Sequence, residues 1–286
     1  MNRVPPWSLA IASMLSVQLG SALSVGLIDT VGAGGTAWLR LTAGALIFIA
    51  IARPPWRSVR RADLPVLIGL GVASGLVTIT FLAAIARMDL GTVVAIEFLG
   101  PLTVAALRSH SREALVWPGL ALVGVILVTQ PWHGSVDPLG LLFAGLSALG
   151  WATYIVLMQK LGDRFEGLSG LSLTVPISAL TAALIGVPEA WGKLSPEVFV
   201  TALGLAILLP VLPYALELLA LRRMTPHAFG TLMALEPAFG VLVGAVVLRQ
   251  IPVLGQILGI ALVVAAGAGA QRGGRRVSGL EEVELA

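Results

Sequence analysis

Residues 86–108, ARMDLGTVVAIEFLGPLTVAALR, set a carboxylate, Glu97, inside an apolar run, and Gly100 and Pro101 follow within four residues. A glutamate at bilayer depth is energetically costly and marks a functional site by default. Proline has no backbone N–H to donate, so the backbone around it needs other hydrogen-bond partners. The stretch therefore predicts a broken membrane helix with a buried carboxylate beside the break.

The composition extends this interpretation to the whole chain. The 286 residues are 57% hydrophobic and 12% charged, with a mean hydropathy of +0.95, whereas a soluble domain carries about twice that charged fraction. We therefore expect an all-α polytopic membrane protein. The chain has no cysteine, which excludes disulfides and thiolate metal sites. Its basic residues sit in short loops, so the high pI does not indicate a nucleic-acid partner.

Ten apolar segments have lengths close to the 17 to 25 residues of a membrane helix. We number them spans 1 to 10; they cover residues 7–28, 35–52, 64–86, 91–107, 114–130, 139–159, 168–187, 197–221, 228–248 and 252–270. Span 1 is longer than the roughly 7 to 15 apolar residues of a signal peptide. Fourteen of the 18 Lys and Arg residues fall in loops on one side, which predicts that both termini are cytoplasmic. Residues 271–286 are predicted to be a disordered cytoplasmic tail.

The motif around Glu97 has a counterpart in span 9. RRMTPHAFGTLMALEP, residues 222–237, repeats the Arg-Met, Gly-Thr, Ala-x-Glu and Pro elements of residues 86–101. Five spans per half place the two halves in opposite orientations, which predicts an inverted repeat of residues 1–130 and 139–270. Aligning Pro101 with Pro237 gives an offset of 136, and aligning Glu97 with Glu236 gives 139. On the second alignment Glu236 is the counterpart of Glu97.

Few charged residues lie inside the spans, away from their first and last residues: Arg40, Glu97, Glu217 and Glu236. Arg40 and Glu97 lie at similar depth in spans 2 and 4, so they could form an ion pair. Glu97 is then either a structural partner of Arg40 or a cavity carboxylate that binds a substrate ammonium or a proton. Arg40 either pairs structurally or extends its charged end toward the membrane interface.

Glu217 lies near the end of span 8, five residues before Arg222. This position favours a carboxylate tethered to arginine at the interface. The alternative is a gate, because Tyr214 lies at i−3 on the same helix face and Pro210 and Pro213 kink the helix nearby.

Span 6 carries Trp151, Tyr154 and Met158 on one helix face, at i, i+3 and i+7. The two aromatic residues lie mid-span, too deep for an interfacial aromatic belt, so cavity lining and core packing are both open. Gln18 is the only amide of span 1 and is predicted to contact a neighbouring helix, with cavity lining as the alternative.

The sequence lacks the motifs of ATP-driven transport and of metal catalysis. It has no Gly-rich Lys-Ser/Thr loop and no His-Glu-x-x-His, and its three histidines fall in or beside loops far apart in sequence. We therefore expect no metal and no cofactor.

At these motifs the sequence resembles the drug/metabolite transporter superfamily, in particular ten-helix proteins with two EamA-type repeats. FLAAIARMDLGTVVAIEFLGPLTVAAL, residues 81–107, and LRRMTPHAFGTLMALEPAFGVLVGAVVL, residues 221–248, resemble the branch of threonine and homoserine exporters. The resemblance implies a multi-pass protein of the bacterial inner membrane with a central cavity lined by spans 1, 3, 4, 6, 8 and 9.

Carried over to this sequence, the resemblance implies a set of substrate-binding residues: Gln18, Glu97, Trp151, Tyr154, Tyr214, Glu217 and Glu236. A second set is expected to be structural or gating: Arg40, Gly100, Pro101, Pro210, Pro213 and Pro237. Arg40 matches an arginine common in span 2 of the family, where that span is peripheral. Many EamA repeats end span 9 with Gly-Glu, whereas here Arg249 and Gln250 occupy that region.

The expected function is export of threonine- or homoserine-like amino acids, or of related small amphiphilic metabolites, by alternating access. Efflux of drugs or other metabolites is the alternative, and an intramembrane lipid-modifying enzyme is a weaker one. The expected partners are a small-molecule substrate, the lipid bilayer and, as a candidate coupling ion, the proton. The sequence leaves monomer and homodimer open.

Overall fold

The computed structural model describes residues 5–52, 54–108, 115–130, 137–162, 165 and 168–273. Within these ranges the chain is helical and contains no strand. The α helices are α1 Pro6–Ala52, α2 Leu64–Ile85, α3 Leu90–Glu97, α4 Leu99–Arg108, α5 Val116–Thr129, α6 Pro138–Gly162, α7 Ser169–Ala190, α8 Pro196–Ala206, α9 Leu212–Leu221, α10 Pro226–Met233, α11 Glu236–Val247 and α12 Leu254–Gly273. A π-helical segment, Ile207–Val211, joins α8 to α9, and 3-10 turns lie at Trp56–Ser58 and Arg61–Asp63.

Seven helical stretches are long and apolar enough to cross a membrane, and α5 and α12 are shorter apolar helices. Large apolar side chains such as Leu149 and Leu184 are exposed along helix surfaces, which a surrounding lipid phase explains better than water does. The protein is therefore a polytopic, all-helical membrane protein. The predicted tail of residues 271–286 lies mostly outside the described residues, and residues 271–273 continue α12.

Spans 1 and 2 are joined in α1 by a break at one glycine. Gly32 has φ +83° and ψ 168°, in the positive-φ region that glycine adopts without a Cβ penalty. The amides of the turn after the break meet a carboxylate from α7: Gly34 N and Gly35 N donate to Glu189 Oε2 at 2.8 and 3.2 Å. Glu189 thus caps the second half of α1, although nothing in the sequence around it predicts this role.

Spans 4 and 9 are both interrupted near a proline. Span 4 divides into α3 and α4 at Phe98, and span 9 divides into α10 and α11 at residues 234–235. Pro101 and Pro237 lack the N–H that would bond the carbonyls of Glu97 and Met233 in a regular helix. The predicted break in span 4 is thus confirmed, and each interruption begins three residues before its proline.

The helix bounds follow the proline alignment of the two halves. α3 begins at Leu90 and α10 at Pro226, which are 136 residues apart, and the two interruptions begin at the same offset, at residues 98 and 234. On this register Met233 occupies the position of Glu97, while Glu236 matches Gly100. The alignment of Glu97 with Glu236 therefore does not follow the helix bounds.

Span 8 is kinked where the sequence predicts it. Leu209, inside the π-helical segment before Pro210, has extended backbone at φ −159° and ψ 111°. The carbonyl of Leu208 accepts a hydrogen bond from Ser16 Oγ of α1 at 2.6 Å. A side chain of a neighbouring helix thus satisfies backbone that the kink frees, as a membrane protein requires.

The two interrupted helices pack closely through glycines. A Cβ at Gly91 of α3 would lie 3.0 Å from the Cα of Val241 in α11, and a Cβ at Gly240 would lie 3.2 Å from Val94 Cγ2. Such close approach requires small residues at the contact. The backbones of α3 and α11 therefore approach each other closely, and α3 carries Glu97 while α11 carries Glu236.

Candidate functional site

One cavity of about 280 Å³ lies among the central helices. This volume is near the lower end of the range for small-molecule sites, about 300–1,000 Å³. The lining residues come from both halves of α1 and from α2, α3, α6, α7, the π-helical segment, α9, α10 and α11. They are Val17, Gln18, Ser21, Arg40, Leu41, Ser74, Val77, Thr78, Phe81, Glu97, Trp151, Tyr154, Val175, Leu209, Pro210, Pro213, Tyr214, Glu217, Met233 and Glu236.

Glu97 is the last residue of α3, next to the interruption at Phe98. Its side chain is buried and its Oε1 accepts a hydrogen bond from Ser147 Oγ of α6. Because the partner is a neutral hydroxyl, the carboxylate is oriented but its charge is not compensated. Such a group can receive a cation or a proton from the cavity.

Glu236 is the first residue of α11 and is buried. Its Oε1 accepts a hydrogen bond from Gln18 Nε2 at 3.5 Å. Its Oε2, like Gln18 Oε1, has no hydrogen-bond partner in the described part of the chain. Buried acceptors without a donor are unfavourable, so this pair is suited to a ligand that brings hydrogen-bond donors.

Aromatic side chains form a wall of the cavity. The hydroxyls of Tyr154 on α6 and Tyr214 on α9 are hydrogen-bonded at 2.9 Å. Tyr214 also packs edge-on against Phe48, with ring centroids 5.9 Å apart. Trp151 packs in the same way against Phe98 at 6.4 Å. The wall combines apolar surface with two hydroxyls, which suits an amphiphilic molecule.

Glu217 does not form the tether to Arg222 that its sequence position favours. Its Oε1 accepts a hydrogen bond from Ser13 Oγ of α1 at 2.9 Å, and its side chain lines the cavity. Within the described ranges the sole ion pair joins Arg87 and Asp137 at 3.1 Å. Since α9 starts at the kink, Glu217 faces α1 instead of the following loop.

Arg40 is also placed differently from the expectations. It is only 4% exposed and lines the cavity, so it neither extends to the interface nor lies in a peripheral span. It forms no ion pair with Glu97; its Nη1 donates instead to Ser24 Oγ at 3.1 Å. The break at Gly32 reverses the chain between Ser24 and Arg40 and brings them together.

Sequence comparison decides the family. Residues 138–269 match the EamA-like transporter family. The threonine/homoserine exporter RhtA of Escherichia coli (strain K12) is 34% identical over 299 residues, covering 100% of this chain and 98% of the relative. RhtA of Salmonella typhimurium (strain LT2) is 33% identical over 296 residues, covering 99% and 98%. The chain belongs to the EamA-like transporter family.

This EamA-like transporter also shares its fold with a solved structure. A crystal structure of another protein aligns over 92% of this chain and 96% of its own, with a TM-score of 0.59 and 18% identity. At 18% identity, this similarity supports a shared fold and no shared function.

The family and its relatives confirm the predicted membership of the drug/metabolite transporter superfamily and the location in the bacterial inner membrane. A family of transporters also agrees with the expectation that the chain is not an enzyme.

In this EamA-like transporter, all seven predicted substrate-binding residues line one cavity, together with Arg40, Pro210 and Pro213. Gly100, Pro101 and Pro237 do not line it. Gly100 packs against the backbone of α6 at Ala148, and the two prolines act through the interruptions. Whether the seven residues bind substrate stays a prediction.

The uncharged partners of the buried charges in this EamA-like transporter could not be identified from the sequence. They are Ser13, Ser24 and Ser147, each a hydroxyl bonded to one ionisable side chain. Their only sequence signal is a small polar residue inside an apolar span. Gln250, where many EamA repeats have an acid, accepts a hydrogen bond from Leu90 N at 3.0 Å and so caps α3.

Proposed function

We propose that this chain is a secondary active transporter that exports threonine- or homoserine-like amino acids, or related small amphiphilic metabolites, across the inner membrane. The observation that carries the proposal is the small cavity whose carboxylates, Glu97, Glu217 and Glu236, have uncharged partners. Relatives that match over almost their whole length are named threonine/homoserine exporters. Acidic side chains of this kind suit a cargo that carries an amine.

The architecture we propose is ten membrane spans in two inverted repeats, residues 1–130 and 139–270, with both termini in the cytoplasm. Counting the two halves of α1 separately, and adding α5 and α12 to the seven long stretches, gives ten. The offset of 136 residues between the bounds of α3 and those of α10 supports the repeat. Sites at the interface of two such repeats are common in secondary transporters.

In the proposed mechanism, Glu97 and Glu236 hold the amine of the cargo or a proton. Trp151, Tyr154 and Tyr214 pack against its apolar part. The interruptions after Glu97 and Met233 leave backbone carbonyls without an intrahelical donor, and these supply neutral acceptors close to the carboxylates.

Alternating access requires that a closed contact on one side of the cavity opens. Two hydrogen bonds tie helices together beside the cavity: Tyr154 of α6 to Tyr214 of α9, both in the second proposed repeat, and Ser13 of α1 to Glu217 of α9, between the two repeats. In the proposed orientation both lie toward the cytoplasmic ends of their helices. We infer that these contacts form the cytoplasmic gate, and that they separate when cargo enters.

Uptake into inside-out membrane vesicles tests the function, because export from the cell then appears as uptake. Vesicles with the wild-type protein should take up labelled L-threonine above vesicles without it. Glu97→Gln preserves size and the acceptor for Ser147 but removes the charge, and uptake should fall roughly tenfold or more, as expected when an interaction with a charged group is lost. Glu197→Gln, at an exposed carboxylate of α8, is the matched control.

Two results would contradict the proposal at different levels. Absence of threonine and homoserine uptake by the wild type would contradict the proposal that these amino acids are substrates. Full uptake by Glu97→Gln would contradict the proposed role of Glu97 but not the proposed transport function.

Because the cavity carries three carboxylates and one arginine, efflux of organic cations is the second candidate function. Uptake of a labelled cationic dye by the same vesicles tests it.

A further inference from the structure

The guanidinium of Arg40 is held in the cavity with unused hydrogen-bonding capacity. Arg40 is 4% exposed, and its Nε has no hydrogen-bond partner in the described ranges. Among the residues that the structure describes, Ser24 Oγ is the only hydrogen-bond partner of the guanidinium, at 3.1 Å from Nη1. A guanidinium carries five N–H donors in a planar fork, so Ser24 fixes the side chain without satisfying it.

No carboxylate of the described chain compensates this charge. Glu97, Glu217 and Glu236 line the same cavity, yet none lies within 4.0 Å of Arg40. Each of them bonds a neutral donor instead. A buried charge is costly unless it is paired, and here the cavity keeps its positive and negative groups apart.

We propose that Arg40 binds the carboxylate of the cargo, so that the cavity selects zwitterions whose amine is held by Glu97 and Glu236. This inference rests on the proposed export of amino acids and adds the residue that recognises their second charge. Arginine is suited to the role because its fork binds a carboxylate through two parallel hydrogen bonds. Both charged groups of an α-amino acid lie on one carbon, so their partners must face one small space, as these do.

A structural role for Arg40 predicts different behaviour. If the guanidinium only braced the two halves of α1 through Ser24, its loss would weaken folding and would affect all cargoes alike. If it binds the carboxylate, its loss affects only molecules that carry one. Threoninol distinguishes the two, because it keeps the amine and the side chain of threonine and replaces the carboxylate with a hydroxymethyl group.

The experiment measures uptake of labelled L-threonine into inside-out vesicles, in competition with unlabelled L-threonine or threoninol. In the wild type, threoninol should compete at least about tenfold more weakly, as expected for loss of a charge-assisted bidentate contact. In Arg40→Gln the KM for threonine should rise about tenfold or more, and the two competitors should become similar. Arg40→Lys should recover threonine uptake only in part, because an ammonium lacks the fork.

Arg87→Gln, at an exposed arginine outside the cavity, is the matched control and should keep the wild-type ratio of the two competitors. Equal competition by threonine and threoninol in the wild type overturns the inference, and this result does not depend on whether any variant folds. An unchanged ratio in a well-folded Arg40→Gln also overturns it. If the wild type takes up no threonine at all, it is the proposed function that fails, which separates the two failures.

Discussion

Each carboxylate of the cavity is bound to an uncharged donor. Ser147 bonds Glu97, Ser13 bonds Glu217 and Gln18 bonds Glu236. Buried ion pairs would have fixed these charges permanently, since separating such a pair costs several kcal/mol. Neutral partners orient the carboxylates and leave their charge for a cargo that comes and goes.

At this scale we predict that Glu236→Gln lowers threonine uptake roughly tenfold or more while leaving expression and elution from a sizing column unchanged. The amide is close in size to the carboxylate and can donate to Gln18 Oε1, which lacks a partner in the described structure. Folding should therefore be preserved while the charge is lost. Uptake by vesicles with matched amounts of protein measures the effect.

Gln18→Ala is the companion variant for this test, because it removes the neighbour and keeps the carboxylate. Its effect should be smaller than that of Glu236→Gln. Uptake by Glu236→Gln at the wild-type rate would mean that the carboxylate is not required.

The sequence identifies the buried charges but not what they touch. Charged residues within spans are few, so Arg40, Glu97, Glu217 and Glu236 could be found by position alone. Serines in apolar helices are common and pack in many ways, so Ser13 and Ser147 could not. Arg40 and Glu97 do not pair, although their similar depth allows it. Depth along a helix fixes height in the membrane, whereas contact also depends on rotation about the helix axis and on the chain reversal at Gly32.

At the scale of elements, prolines predict where helices break, and glycines determine how closely they pack. Pro101 and Pro237 each lie just after an interruption, because a missing N–H acts on the carbonyl one turn earlier. Gly32 was less informative in sequence, since its neighbours are also small residues. Only the positive φ of Gly32, which other residues rarely adopt, shows that the turn between spans 1 and 2 requires glycine at this position.

Gly91→Ala should destabilise the protein, because the added Cβ would meet the backbone of Val241 across the contact between α3 and α11. A methyl forced into a packed contact costs about 1–3 kcal/mol. The expected result is a lower thermal unfolding midpoint in detergent, followed through the aggregation of the purified protein.

Gly204→Ala is the control for this variant, because an added Cβ at Gly204 in α8 meets nothing within 4 Å. It should match or exceed the stability of the wild type, as alanine favours helix more than glycine does. Equal midpoints for Gly91→Ala and Gly204→Ala would show that α3 and α11 can separate at no cost.

At the scale of the whole molecule, the apolar segments and the composition sufficed to predict a polytopic helical membrane protein. The repeat motif predicted related halves but left two registers open. Helix bounds then favoured the offset of 136, which matches Glu97 to Met233. On the proposed repeat the cavity is therefore asymmetric in charge, because Met233 occupies in residues 139–270 the position that Glu97 occupies in residues 1–130.

The proposed orientation predicts which loops face the cytoplasm. Because the chain has no cysteine, one introduced cysteine is the sole target for a membrane-impermeant maleimide. Lys193→Cys, between α7 and α8, should be labelled in spheroplasts with an intact inner membrane. Arg57→Cys, between α1 and α2, should be labelled only after the membrane is broken. Both side chains are exposed, so the reverse pattern would invert the proposed topology.

The contact between Tyr154 and Tyr214 has a spectroscopic consequence. The chain contains only two tyrosines, and they are hydrogen-bonded to each other beside the cavity. A protein grown on fluorotyrosine would carry two fluorine nuclei, both at the proposed gate. The two resonances would therefore report the opening of that contact in an otherwise unaltered protein, without a site-specific label.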